Sequence, residues 1–133
     1  MFQVIDMHCD TIPALQWKEK QEHLADADLQ INLDKLEKGG SLCQCFSLFT
    51  FLKGLKDETP FEHVRKLADL WKSEVERYPD RICQIKTYAD LMQVQKEGKI
   101  GAVMTVEEGG VYEGSIETVS YTHLRAHETP EHL

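Results

Sequence analysis

Three side chains that follow apolar segments have the chemistry to bind a metal ion. His8 and Asp10 come directly after an apolar run at residues 2–7, and Glu107 comes directly after the run Ile100–Val106. A spacing of two residues places His8 and Asp10 on the same face of an extended chain. Imidazole nitrogens and carboxylate oxygens are common zinc ligands. The pattern therefore predicts a metal site, provided that the ends of the two runs meet.

Each of these features also has a simpler structural interpretation. A His-x-Asp pair arises often by chance, and a single histidine such as His8 is more often a hydrogen-bonded structural residue. Glu107 and Glu108 could be solvated loop charges before the two glycines that follow. Convergence of Asp10 and Glu107 would favour a divalent metal or a raised pKa, because two neighbouring carboxylates repel each other unless a cation lies between them.

The segments that must position these residues alternate between strand and helix. Residues 2–7, 41–51, 82–86 and 100–106 are short apolar runs, which predict buried strands. Residues 13–38 are helical in character, although the pattern is mixed, and Gly39-Gly40 ends them. Strands that are apolar on both faces suit a parallel sheet covered by helices.

Two further helices have clear start signals. Thr59, Pro60 and Glu62 form the sequence pattern of a capping box with proline at the first helical position. An apolar face follows at helical spacing and the helix should stop before Pro79. The residues of that face are Val64, Leu67, Ala68, Trp71 and Val75. Thr87 and Asp90 open a second helix, which should end at Gly98.

The composition excludes several classes of function. Of the 133 residues, 41% are apolar and 29% are charged, which is the composition of a globular rather than a disordered protein, and the formal charge is -8. The negative charge argues against partners such as nucleic acid or an anionic membrane surface. Its four cysteines form no CxxC pair and are expected to be buried thiols. No apolar run is long enough to span a membrane, and a cytoplasmic location is expected.

The end of the chain differs in character from the rest. Residues 119–129 read VSYTHLRAHET, which lacks apolar periodicity and resembles the translated read-through of a transposase-type sequencing adapter. We therefore expect a natural domain at residues 1–117 and a disordered, artefactual tail at residues 118–133. For this reason His123, His127 and His132 are not candidate ligands.

Three segments together resemble the opening part of membrane (renal) dipeptidases. They are VIDMHCDTI, LDKLEKGGSLCQCFS and YADLMQVQKEGKIGAVMTVEEGG, in this order and at suitable distances. The resemblance extends over nearly all of residues 1–117. It implies the N-terminal portion, about three βα units, of a (β/α)8 TIM-type barrel of the metallo-dependent hydrolase kind, whereas a complete barrel needs roughly 250 residues.

The resemblance also implies a site and a reaction. The family's His-x-Asp motif falls on His8 and Asp10, which would bind one zinc ion, and its bridging glutamate falls on Glu107. This sequence reads VEEGG where the family commonly has VEGG, so Glu108 is a minor rival for that role. Two Zn²⁺ ions per complete site would hold a bridging hydroxide that hydrolyses a dipeptide substrate.

Other parts of the implied site are absent from the sequence. The family's two later histidine ligands and its substrate-binding residues are not present, so no catalytic residue beyond the metal ligands is assigned. His23 and His63 are expected at the surface. Asp6 and Thr11 are candidates for hydrogen bonds that support the ligands.

Two rival functions remain open at this stage. One is a non-catalytic binding or interaction domain, and the other is a different metal-dependent amidohydrolase. Amidohydrolases of that kind more often have His-x-His after the first strand, so Asp10 speaks against the second rival. A homodimer of the complete protein is compatible with the sequence, which indicates no interface for it.

Overall fold

Four parallel strands form one sheet in the computed structural model, which describes residues 3–25 and 28–119. The strands are β1 (Val4–Asp6), β2 (Ser41–Leu48), β3 (Ile82–Gln84) and β4 (Ile100–Val106). Their order across the sheet is β1-β2-β4-β3, and each neighbouring pair is parallel. The predicted α/β class with parallel strands is confirmed. Of the predicted tail at residues 118–133, residues 120–133 lie outside the described residues.

The helices connect the strands in the expected alternation. Within the described residues they are α1 (Thr11–Gln16), α2 (Leu33–Lys38), α3 (Pro60–Arg77) and α4 (Tyr88–Glu97). Short 3₁₀ turns at Leu52–Gly54 and Gly109–Tyr112 follow β2 and β4. In this part of the chain, none of the helices combines the length and the apolar character that crossing a bilayer requires.

The predicted starts of α3 and α4 are confirmed in atomic detail. The Thr59 hydroxyl accepts a hydrogen bond from the Glu62 backbone N–H at 3.2 Å, and the Glu62 carboxylate accepts one from the Thr59 N–H at 2.9 Å. Thr87 and Asp90 repeat the same reciprocal pair at α4. Gly98 ends α4 in the left-handed region, at φ 69°, which glycine adopts without strain.

Helices cover both faces of the sheet. Trp71 of α3 belongs to the main core with Phe46 and Leu48, whereas Val94 of α4 packs with Cys43. Because side chains alternate along a strand, Cys43 and Phe46 of β2 point to opposite faces. The chain passes from β2 through α3 to β3 and then returns through α4 to β4. Right-handed crossovers in opposite directions across a sheet require α3 and α4 to lie on opposite faces.

The prediction of helical character throughout residues 13–38 is wrong for the middle of that range. The structure has α1 and α2 at its ends, and the described residues between them are turns and irregular chain. The physical reason is visible in the sequence, because residues 18–23 are all polar or charged and offer no apolar stripe to bury.

A buried carboxylate holds this irregular segment against α3. Glu74 is only 1% exposed. One of its oxygens accepts the backbone N–H of Leu24 at 2.7 Å, and the other lies 2.8 Å from His23 Nδ1 and 3.6 Å from Arg77 Nε. A buried carboxylate is tolerated only with such partners. The hydrogen bonds of Glu74 therefore hold this non-helical segment against α3.

Glu74→Ala should lower the free energy of unfolding by about 3 kcal/mol, because it leaves buried donors without their acceptor. Urea unfolding followed by circular dichroism measures this loss. Glu76→Ala, an exposed position on the same helix, is the matched control and should change stability little. Equal effects of the two substitutions would contradict the assigned role of Glu74.

Candidate metal centre

The sheet brings the ends of β1 and β4 to the same edge. The segment that follows β1 carries His8 and Asp10, and Glu107 comes directly after β4. Parallel strands present their carboxyl ends at one edge, where α/β proteins build their sites. Because β2 lies between β1 and β4, the three side chains meet above the end of β2.

The three predicted ligands converge within coordination distance of one ion. His8 Nε2 lies 3.4 Å from Asp10 Oδ1 and 3.7 Å from Glu107 Oε2. One ligand atom from each residue can be chosen so that all three lie within 4.8 Å of one another. Such separations fit donors arranged around a single cation, whose bonds to nitrogen and oxygen are about 2.0–2.2 Å long.

The donor set fits a divalent cation chemically. It combines a borderline imidazole nitrogen with two hard carboxylates, a combination that zinc accepts. The side chains of His8, Asp10 and Glu107 are 51%, 61% and 47% exposed. An ion and a substrate could therefore both reach them. A cation between the two carboxylates would also relieve their mutual repulsion.

Ser47 links the two halves of the cluster, and the sequence analysis missed it. Its backbone N–H donates to the carbonyl of Cys9, between His8 and Asp10, at 2.9 Å. Its hydroxyl donates to Glu107 Oε2 at 2.8 Å. The available signal was a hydroxyl residue near the end of an apolar strand that runs to the predicted site edge.

The two residues suggested as supports for the ligands behave differently. Asp6 Oδ1 accepts the backbone N–H of His8 at 3.2 Å, so Asp6 fixes the loop that carries His8. Thr11 donates its hydroxyl to the carbonyl of Ile31 at 3.0 Å, which ties α1 to the chain before α2. The hydrogen bond of Thr11 therefore supports the fold rather than a candidate ligand.

Glu108, the rival of Glu107, has a different partner. Its carboxylate accepts the backbone N–H of Gly110 at 2.9 Å and caps the 3₁₀ turn after β4. Among the described residues, the cluster of possible ligands consists of His8, Asp10 and Glu107. The geometry therefore favours Glu107 over Glu108.

His23 and His63, which were expected at the surface, are partly buried. The side chain of His23 is 25% exposed and faces Glu74, and that of His63 is 12% exposed and lies 2.7 Å from a Glu58 oxygen. Both histidines pair with a carboxylate in the fold, and neither belongs to the cluster of candidate ligands among the described residues. Neither carboxylate partner could be predicted from the sequence, because Glu74 meets His23 through tertiary packing and Glu58 lies in the loop before α3.

Most of the thiols are buried, as predicted. Cys9, Cys43 and Cys45 are buried, whereas Cys83 is exposed and corrects the prediction for that residue. Burial raises the pKa of the Cys43 thiol to about 11 and also raises the pKa of the Cys9 and Cys45 thiols. These three cysteines therefore remain protonated at neutral pH, which disfavours a role as nucleophiles.

Comparison with known proteins identifies the family of the chain. The family model of membrane dipeptidase (peptidase family M19) matches residues 1–126. The chain belongs to the membrane dipeptidase family. This match confirms the resemblance found in the sequence, and it extends past Glu117, where the domain boundary is predicted. No curated protein sequence matches the chain significantly.

Solved structures confirm the fold class. The probable dipeptidase PvdM from Pseudomonas aeruginosa superposes with a TM-score of 0.66 at 15% identity, covering 92% of this chain and 32% of that one. An amidohydrolase from the same organism gives 0.59 at 16% identity, covering 68% and 26%. This chain thus spans at most about a third of these two proteins, and it forms part of a (β/α)8 barrel.

We expect the chain to bind Zn²⁺ weakly through the three clustered side chains, because zinc sites normally use about three or four protein ligands and here all three are exposed. Calorimetric titration of the purified chain measures the affinity. His8→Ala, Asp10→Ala and Glu107→Ala should each weaken binding by more than about tenfold. Glu108→Ala is the control and should leave the affinity unchanged; a loss equal to that of Glu107→Ala would contradict the ligand assignment.

Proposed function

We propose that the complete protein is a zinc-dependent dipeptidase and that this chain contributes the first half of its metal centre. The observation that supports the proposal is the convergence of His8, Asp10 and Glu107 at the carboxyl edge of the sheet. Membership of the membrane dipeptidase family supports the reaction class. The substrate would be a dipeptide.

The three residues would have separate roles in a two-zinc centre. His8 and Asp10 would bind one ion, and Glu107 would bridge both. When bound, the pair of cations supplies a nucleophile from water at neutral pH and polarises the scissile carbonyl. The remaining ligands would come from elements that the sequence does not contain.

The protein groups themselves contribute position and charge. Asp6 fixes the backbone at His8, and the Ser47 hydroxyl holds one oxygen of Glu107. The loops after β2 and β4 also touch, since a Cβ at Gly110 would lie only 2.6 Å from the Leu52 side chain. The lack of a side chain at Gly110 thus lets the loop that follows Glu107 approach the end of β2.

The rival functions have less support. A non-catalytic binding domain gives no reason for three ligand-type side chains to converge at the edge where barrel enzymes hold their sites. The similarity to an amidohydrolase structure concerns the fold alone. The family match favours the dipeptidase over the other amidohydrolase activity.

We further propose a cytoplasmic location and no nucleic-acid or membrane partner. The negative formal charge of the chain supports the second part, because it would repel polyanions. The free thiols Cys9, Cys43, Cys45 and Cys83 are compatible with a reducing compartment.

The complete protein should release free amino acids from dipeptides in a chelator-sensitive reaction, and His8→Ala or Glu107→Ala should lower kcat/KM by more than about 100-fold, since even residues that only orient ligands cost 10–100-fold. The 133-residue chain alone should be inactive with added zinc, because its described residues bring three ligands together where two ions need more. The assay is amino-acid release from a dipeptide panel.

Two results would contradict this account. Chelator-sensitive turnover by the 133-residue chain would show that no further ligands are needed. A complete protein that contains no metal and hydrolyses no dipeptide would refute the dipeptidase assignment. Glu108→Ala in the complete protein serves as the matched control, because it removes a neighbouring carboxylate that has its own backbone partner.

A further inference from the structure

Ser47 occupies a position from which it contacts both parts of the candidate centre. It is fully buried on β2, directly beside Thr105 of β4 in the parallel register. Its backbone N–H binds the Cys9 carbonyl at 2.9 Å, and its hydroxyl binds Glu107 Oε2 at 2.8 Å. One residue thus joins the His8–Asp10 segment to the carboxylate that follows β4.

The hydroxyl of Ser47 restricts a side chain that would otherwise be mobile. Glu107 is 47% exposed and stands at the end of β4, next to a loop with two glycines. A glutamate with three rotatable side-chain bonds loses conformational freedom when it binds an ion. An ionised carboxylate only accepts hydrogen bonds, so Ser47 must be the donor and its proton points at Oε2. That bond preselects a rotamer in which Oε2 lies 3.7 Å from His8 Nε2.

We infer that Ser47 is a positioning residue for metal binding: its hydroxyl holds Glu107, and its backbone holds the His8–Asp10 loop, in one arrangement before the ion arrives. This inference rests on the proposed function. Metal ligands are generally oriented by such outer hydrogen bonds, whose loss costs about 10–100-fold in affinity. The backbone bond persists when the side chain is changed, so substitution of Ser47 isolates the contribution of the hydroxyl.

The experiment compares the Zn²⁺ affinity of four versions of the 133-residue chain by calorimetric titration. Ser47→Ala removes the hydroxyl, and Ser47→Thr retains it. Thr105→Val is the matched control, because Thr105 is the register neighbour on β4 and its hydroxyl binds the Phe46 carbonyl rather than a candidate ligand. Thermal unfolding without metal shows whether each variant folds as the wild type does.

Ser47→Ala should weaken Zn²⁺ binding by about 10-fold or more, with an unfolding midpoint near that of the wild type. Ser47→Thr and Thr105→Val should bind as the wild type does. Equal affinity of Ser47→Ala and the wild type would overturn the inference while leaving the metal site intact. So would a Ser47→Thr protein of normal stability that binds as weakly as Ser47→Ala, or a Thr105→Val protein that binds as weakly. A wild type that binds no zinc would overturn the site and this inference together.

Discussion

The parallel pairing of β2 with β4 is the interaction on which the candidate centre depends. Residues Cys43–Leu48 pair with Gly101–Val106 without a break in register, and β1 pairs on the other side of β2. This register sets the height at which Glu107 leaves the sheet relative to Ser47. A shift by one residue would turn the Ser47 side chain to the opposite face of the sheet and separate it from Glu107.

The separation of contacting residues along the chain determines which features were predictable from the sequence. Features that depend on residues close together in the chain were predicted by the sequence pattern. They are the capping by Thr59 and Thr87, the end of α4 at Gly98 and the apolar face of α3. The strand order β1-β2-β4-β3 and the face on which α4 lies depend on contacts between distant segments. Neither leaves a local signature. The irregular chain before α2 has a local signal in the polar residues 18–23, whereas its tertiary partner Glu74 lies about 50 residues further along and has none.

The candidate ligands were predictable for a related reason. His8, Asp10 and Glu107 all follow apolar strands, and parallel strands bring such residues to one edge whatever the detailed order. Ser47 was missed because a serine within an apolar strand is common and its role is visible only once Cys9 and Glu107 are placed around it. Whether the three side chains bind metal remains a prediction.

Parts of the described strands have an unpaired edge. Val4 and Ile5 of β1 are 48% and 50% exposed, and β3 pairs with β4 only from Ile100 to Ala102. In the described part of the chain, the second half of β4 therefore has one neighbouring strand, β2. Closure of a barrel removes such edges.

Anomalous diffraction at the zinc absorption edge, from crystals of the complete protein grown with zinc, tests the central claim most directly. We predict an anomalous peak about 2.0–2.2 Å from His8 Nε2 and from an oxygen of Asp10. Glu107 should contact the same ion while it keeps its hydrogen bond from the Ser47 hydroxyl. Zinc peaks located only elsewhere, with these three side chains surrounded by water, would contradict it.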